Sequence, residues 1–329
     1  MQKSAIITGI SGQDGAYLSE QLLKKGYRVI GLVRGDNAIG IKGLQYLKIE
    51  KRVEIVECDL LDISQIIKLL IQYHPDEIYN LAAQSSVSQS FQQPIGTFQF
   101  NTLSVYNLLE AIKLVNKKIR FYQASSSEMY GKVNNLPINE NSLLHPLSPY
   151  AISKASAHWI CKNYRESYGI FVCCGILFNH ESYLRSTNFF VKKIIQESIK
   201  ISKGLQDKMT VGNIDIKRDF GYAPKYVEAM IKMMQQDEAD DFIICSGKSE
   251  SLRNMIYYLL DKQGIDHKKC EISDKLFRPA DIDDIYGDNT KAKSKLNWDN
   301  SMTTYQLLDL LLEEELISSV QCYLKSHTT

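Results

Sequence analysis

A short apolar run, Ser4 to Thr8 (SAIIT), leads without a break into Gly9-Ile10-Ser11-Gly12-Gln13-Asp14-Gly15 and then into AYLSEQLLKKG, which has helical spacing and ends at Gly26. Strand, glycine turn and helix in that order leave few folds open. Glycine lets the turn close tightly and brings backbone N–H groups up to a pyrophosphate, while the helix amino terminus favours its negative charge. A glycine triplet alone would be an ordinary turn. Between a strand and a helix it predicts a dinucleotide site.

The alternation continues. A second strand, Tyr27 to Val33 (YRVIGLV), ends in Arg34, where an acidic side chain would accept from the ribose 2′-hydroxyl of NAD. Arg34 suits a 2′-phosphate, so NADP is expected, and Asp36 keeps NAD open. Next come a strand VEIVECDLLD with Asp59 near its end, a helix from Ser64 to Tyr73 and a strand EIYNLAAQSS containing Ala82 and Ala83. Asp59 is expected near the adenine and the two alanines near the nicotinamide-side ribose; a helix cap and a close-packing site are the plainer alternatives. Strands and helices with short connections predict an α/β fold, a Rossmann-type doubly wound parallel sheet.

Four groups of complementary chemistry gather between Phe121 and Lys154. FYQASSSEMYGK reads as a strand delivering Ser126 and Glu128 to its carboxyl end, where open α/β sheets hold ligands. In SPYAISK, Pro149 favours the start of a helix, and four-residue spacing puts Tyr150 and Lys154 on one face. An ammonium beside a phenol favours the phenolate and makes Tyr150 a candidate base. Out of context, the pair could equally be an ordinary surface pair.

Lys+Arg 39 against Asp+Glu 38 gives no general attraction to nucleic acid or membrane. The start MQKSAIITGI lacks a signal-peptide apolar core, and no apolar run reaches membrane-spanning length, so a cytoplasmic protein is expected. Seven cysteines without a C-x-x-C pair predict reduced thiols, with neither a zinc site nor a disulfide framework.

With these residues in hand, the chain resembles the extended short-chain dehydrogenase/reductase family and, more narrowly, the GDP-mannose 4,6-dehydratases. The likeness is carried by TGISGQDGAYLSEQLLKKGY, DEIYNLAAQSSVSQSF, FYQASSSEMYGK, SPYAISKASAHWI, GILFNHES, RDFGYAPKYVEAM, FRPADID and GDNTKAKSKLNW. It implies a redox cycle without net oxidation on a GDP-sugar, GDP-mannose or GDP-manno-heptose. Tyr150, aided by Lys154 and Ser126, would take the proton of the sugar 4-hydroxyl; Glu128 would take the proton on carbon 5; water would leave from carbon 6. Glu128 discriminates, because an enzyme that only oxidises and re-reduces carbon 4 needs no carboxylate beside carbon 5. The other readings are a nucleotide-sugar epimerase or 4-ketoreductase, and a non-enzymatic dinucleotide sensor.

The resemblance further implies cofactor contacts from Gly9, Gly12, Gln13, Asp14, Gly15, Arg34, Asp59, Leu60, Leu81, Ala83, Ser85, Tyr150, Lys154, His180 and Arg185. Substrate contacts would come from Ser86, Asn179, Lys193, Arg218, Arg278 and Asp281. Asp281 stands where the family carries a glutamate on the ribose hydroxyls, and its carboxylate is one methylene shorter. Tyr183 and Leu184 replace a proline and an arginine of the family and are expected to reshape a pocket wall. Residues 1–180, with 213–246 returning to the sheet, would bind the cofactor; 181–212 and 247–329 would form a smaller substrate domain, with Arg218 to Met230 back at the sheet. A homodimer through the helices after Asn101 and Tyr150, or a homotetramer, is implied; Arg34-Gly35-Asp36-Asn37 departs from the arginine-and-serine run associated with tetramers. Thr304 to Leu316 is expected to be an amphipathic structural helix.

Overall fold

The computed structural model describes residues 2–35, 41–133 and 135–327. The chain opens with β1 (Ser4–Thr8), α1 (Gln13–Lys24), β2 (Arg28–Val33), α2 (Lys42–Tyr46), β3 (Val53–Glu57), α3 (Ile63–Tyr73) and β4 (Glu77–Asn80). Three helices, α4 (Val87–Gln92), α5 (Pro94–Phe98) and α6 (Ser104–Val115), precede β5 (Arg120–Ser126), α7 (Pro149–Tyr168) and β6 (Val172–Leu177). Then follow β7 (Asn179–Glu181), α8 (Phe190–Ser202), β8 (Met209–Val211), β9 (Lys217–Tyr222), α9 (Ala223–Met234) and β10 (Asp241–Ile244). The chain closes with β11 (Ser249–Ser251), α10 (Leu252–Lys262), β12 (Cys270–Ile272), β13 (Asp284–Ile285), α11 (Thr290–Leu296) and α12 (Thr304–His327).

The main sheet is parallel, in the order β10-β6-β5-β4-β1-β2-β3. Strands are added outward in both directions from β1 and β4, so the order reverses between them and opens a crevice at their carboxyl ends. β1 is buried at every position, as a central parallel strand must be. Leu18 and Leu22 of α1 join Met230 and Met234 of α9 in the core on one face. Leu69 of α3, Leu108 and Ile112 of α6 and Ile160 of α7 join that on the other. A separate core joins Ile194 and Ile195 of α8, Leu259 and Leu260 of α10 and Leu308 of α12.

Three elements depart from the sequence expectation. The fourth strand stops at Asn80, and Leu81 to Ser86 leave the sheet, which frees them to line the crevice. β9 pairs with β7, β11 and β13 in a second sheet and does not return to the first; β10 occupies the edge beside β6, and α9 packs beneath. The last helix runs past Leu316 to His327. Among the described residues no helix is long and apolar enough to cross a membrane.

Candidate active site

α7 is set by its ends. The Ser148 hydroxyl accepts from Ala151 N at 3.1 Å, Pro149 fills the first helical position, and Gly169 at φ 66° stops the helix. Tyr150 and Lys154 therefore lie one turn apart on the buried face. Beside them β5 ends at Ser126, whose hydroxyl accepts from Glu128 N at 3.3 Å and turns the chain so that Glu128 follows directly. Ser126, Glu128, Tyr150 and Lys154 line one cavity together with Ser86, Asn179, His180, Arg185, Arg218 and Arg278.

A second cavity, lined by Gly9, Gly12, Gln13, Asp14, Gly15, Arg34 and Leu60, follows the glycine turn. Asp14, Leu81, Ala83, Ser85 and Arg185 line both. Gly9 sits at φ 69°, and a Cβ there would come within 2.8 Å of Ala82 N. α1 begins at Gly12 without a side-chain cap, so its first N–H groups lack a side-chain acceptor where the turn lines the cavity. That donor set fits a dinucleotide pyrophosphate. Arg34 lies over the Phe100 ring at 5.7 Å; Asp36 and Asn37 fall outside the described residues.

Charges meet where the cavities join. His180 Nε2 lies 2.9 Å from Asp14 Oδ2, its Nδ1 bonds Phe178 O at 2.7 Å, and its ring stacks on Tyr226. Burial opposes the charge on both, but each holds the other: Asp14 is lowered and His180 raised. Gln13 ties α1 to β7, donating to His180 O at 2.9 Å and accepting from Ser182 Oγ at 2.8 Å.

The expected pull of Lys154 on Tyr150 is not what this structure shows. Burial pushes the phenol up to about 12; Ser126 and Arg185 act against it and Glu128 adds to it. Lys154 Nζ lies 5.9 Å from the phenol ring centre and donates to Ala124 O at 2.8 Å. Burial pulls the ammonium down to about 8, opposed by Cys161 and Asp14.

Three expected contacts lie off the cavities. Asp59 lies in the turn that follows β3, where its carboxylate accepts from Leu61 N at 3.0 Å, while its neighbours Cys58 and Leu60 line the second cavity. Lys193 Nζ donates to Thr210 O at 2.7 Å. Asp281 accepts from Arg218 at 2.6 Å and lies 3.8 Å from Arg278, so it holds two cavity arginines in place of lining the cavity. Tyr183 and Leu184 do not form a cavity wall either: Tyr183 stacks on Tyr46 of α2 at 4.7 Å and bonds Ser318 of α12, and Leu184 packs against Gly43. Conversely, Glu181, Phe189 and Phe190 line the cavity of Tyr150 and Glu128 without having been expected there. Glu181 is buried 3.4 Å from Arg185, whose guanidinium covers the Phe189 ring. Only the place of Glu181 inside GILFNHES could have signalled it.

The family profile for GDP-mannose 4,6 dehydratase matches residues 6–311. The chain is 37% identical to the GDP-mannose 4,6-dehydratase of Vibrio cholerae over 99% of its own length and 98% of the relative's. It is 40% identical to GDP-mannose 4,6 dehydratase 1 of Arabidopsis thaliana, over 96% and 90%. Among solved structures, RMD from Pseudomonas aeruginosa complexed with NADPH aligns with TM-score 0.78 and 26% identity over 95% and 98% of the chains. The UDP-glucose 4-epimerase of Thermotoga maritima shares the fold, with TM-score 0.85 and 21% identity over 96% and 99%.

Proposed function

This chain belongs to the GDP-mannose 4,6-dehydratase family, and we propose that it is a hydro-lyase that takes water from GDP-mannose or GDP-manno-heptose to give the GDP-4-keto-6-deoxy sugar. The observation that carries this reading is Glu128, a carboxylate in the same cavity as Ser126, Tyr150 and Lys154.

In this reading the glycine turn and the start of α1 hold a dinucleotide pyrophosphate, and Leu81, Ala83 and Ser85 flank its reactive end. When bound, the nicotinamide supplies the hydride acceptor for carbon 4 and the hydride donor for carbon 6. Tyr150 Oη takes the proton of the 4-hydroxyl, with the Ser126 hydroxyl orienting that oxygen. The 4-ketone acidifies carbon 5, and Glu128 removes its proton. The carbon-6 hydroxyl leaves as water with the proton held on Glu128, and Tyr150 returns its proton to carbon 5. Both side chains end in their starting state. Arg218 and Arg278, on the cap side of the cavity, suit the diphosphate. Asn179, whose amide donates to Asp219 O at 3.3 Å, presents its remaining polar atoms to the same space.

NADP is the proposed cofactor, supported by Arg34 at the end of β2. A dimer is proposed through α5, α6 and α7, supported by exposed Ile95, Phe98, Leu103 and Tyr106 beside exposed Ile152 and Trp159. α5 and α6 both pack on α7, and Leu103 lies in the segment that joins α5 to α6, so these side chains share one face.

The test is mass spectrometry of the purified protein with GDP-mannose and, separately, GDP-manno-heptose, without added cofactor. Loss of one water identifies the reaction and the preferred sugar. An isomer, or stoichiometric consumption of added NADPH, would reassign the protein to epimerisation or ketoreduction.

A further inference from the structure

A row of buried polar side chains crosses the middle of the main sheet beneath the catalytic cavity. Thr8 Oγ1, at the end of β1, donates to Asn80 Oδ1 of β4 at 2.6 Å. Asn80 Nδ2 donates to Gln123 Oε1 of β5 at 2.8 Å, and Gln123 Nε2 donates to the Ala124 carbonyl at 3.1 Å. That carbonyl also accepts the Lys154 ammonium, at 2.8 Å. Thr8, Asn80, Gln123 and Lys154 are 0%, 1%, 2% and 5% exposed, so water does not compete for these bonds.

The sense of the row is fixed at its far end. Thr8 Oγ1 accepts from Leu81 N at 3.1 Å and Ala82 N at 3.0 Å, which leaves its hydrogen for Asn80. Asn80 must then present oxygen to Thr8 and its amide hydrogens to Gln123, and Gln123 in turn its hydrogens to Ala124. Apolar side chains of similar volume would fill the same space between strands without needing partners. A satisfied amide row that ends on the carbonyl holding Lys154 has its consequence at Lys154.

We propose that Gln123 is a positioning residue for the reaction: by sharing the Ala124 carbonyl it limits how tightly that oxygen holds the Lys154 ammonium, and through Asn80 and Thr8 it fixes this point against the glycine turn. The proposal rests on the reading of Lys154 as the partner of Tyr150. The ionisable groups facing Lys154 are Asp14 from α1, and Tyr150 and Cys161 from its own helix. None of them bonds Gln123. Removing the Gln123 donor leaves the carbonyl to the ammonium alone. That favours the charged form and draws the ammonium toward β5, away from Tyr150.

The experiment compares the full-length protein with Gln123→Met, similar in length and without a donor, and with Asn80→Leu, which cuts the row one step earlier. For Gln123→Met the expected result is kcat lower on the order of tenfold, with the KM for the GDP-sugar unchanged. The alkaline limb of its pH–rate profile should lie at higher pH, and Asn80→Leu should change in the same direction. Lysine-selective NMR titration of Lys154 reads the same shift without turnover, so it stands even if neither GDP-sugar is dehydrated. A wild-type rate, limb and Lys154 titration in Gln123→Met, whatever its melting temperature, would reduce Gln123 to packing and overturn the proposal. Should Gln123→Met not fold, an unshifted Lys154 titration in Asn80→Leu has the same force.

Discussion

Asp14 Oδ2 and His180 Nε2 meet at 2.9 Å where the two cavities join, one from the first turn of α1 and the other from β7. Because His180 is buried and Asp14 largely withdrawn from water, neither can shed its partner without cost. His180→Ala takes the main partner from the half-buried Asp14 carboxylate, leaving it Arg185 and Gln13, and should lower the melting temperature. The pH dependence follows from the two shifts. His180, raised by Asp14, gives stability at low pH that is lost as pH rises through its folded pKa. Asp14, lowered by His180, gives stability at higher pH that is lost as pH falls through its own. The difference in melting temperature between wild type and variant should therefore be widest between those two values and shrink on either side. A difference constant across pH would show that the pair is not ionised.

Glu128→Gln should abolish dehydration and leave cofactor binding intact. A positioned acid or base contributes about 100- to 10,000-fold, so kcat should fall by that much. Exchange of the carbon-5 hydrogen with deuterated solvent, followed by mass spectrometry, should stop with it. Continued exchange in the variant would assign the proton to another group.

Lys154 sets an alkaline limit. With burial pulling its ammonium down to about 8, kcat/KM should decline above about that pH as the charge beside Tyr150 is lost. Lys154→Arg, which keeps its charge at all working pH, should be slower but should lack this limb. A limb that survives in the arginine variant belongs to a different residue.

Arg34→Ala should shift cofactor preference. Loss of a charge-assisted contact is worth about 1.5–3 kcal/mol, so affinity for NADP should fall tenfold or more with little change for NAD. Cofactor-release and rebinding measurements read the ratio directly. An unchanged ratio would place 2′-phosphate recognition elsewhere.

Trp159 is 56% exposed on α7, a large apolar side chain facing outward beside exposed Ile152. Trp159→Glu should convert a dimer into monomers in sedimentation velocity, with the pH profile of any residual activity unchanged. A variant that sediments as wild type would remove this face from the interface.

The parts of the site read from sequence are those in which neighbouring residues act together. The glycine turn, the Ser126–Glu128 bend and the Tyr150–Lys154 spacing are written in consecutive residues, and each lies in a cavity wall. A long or charged side chain has several partners within reach, and here Lys193 bonds Thr210 and Asp281 bonds Arg218, which no local pattern announces. Asp59 falls in the turn after β3, where its carboxylate serves the backbone of Leu61. Tyr183 pointed to the pocket only while Tyr46, distant in sequence, could not be seen. β9 reads like a strand of the main sheet because nothing local shows that its partners are β7, β11 and β13. The row from Thr8 to Gln123 joins three strands and has no signature in any one of them.

Asp14, Leu81, Ala83, Ser85 and Arg185 serve both cavities at once. A partition with two faces cannot be remodelled on one side alone. A change that widens the sugar side for a bulkier substrate also alters the grip on the dinucleotide, whereas Val87, Ser88 and Phe190 line only the catalytic side and remain free to vary. Substrate range in this lineage should therefore drift at those outer residues while the shared wall stands still.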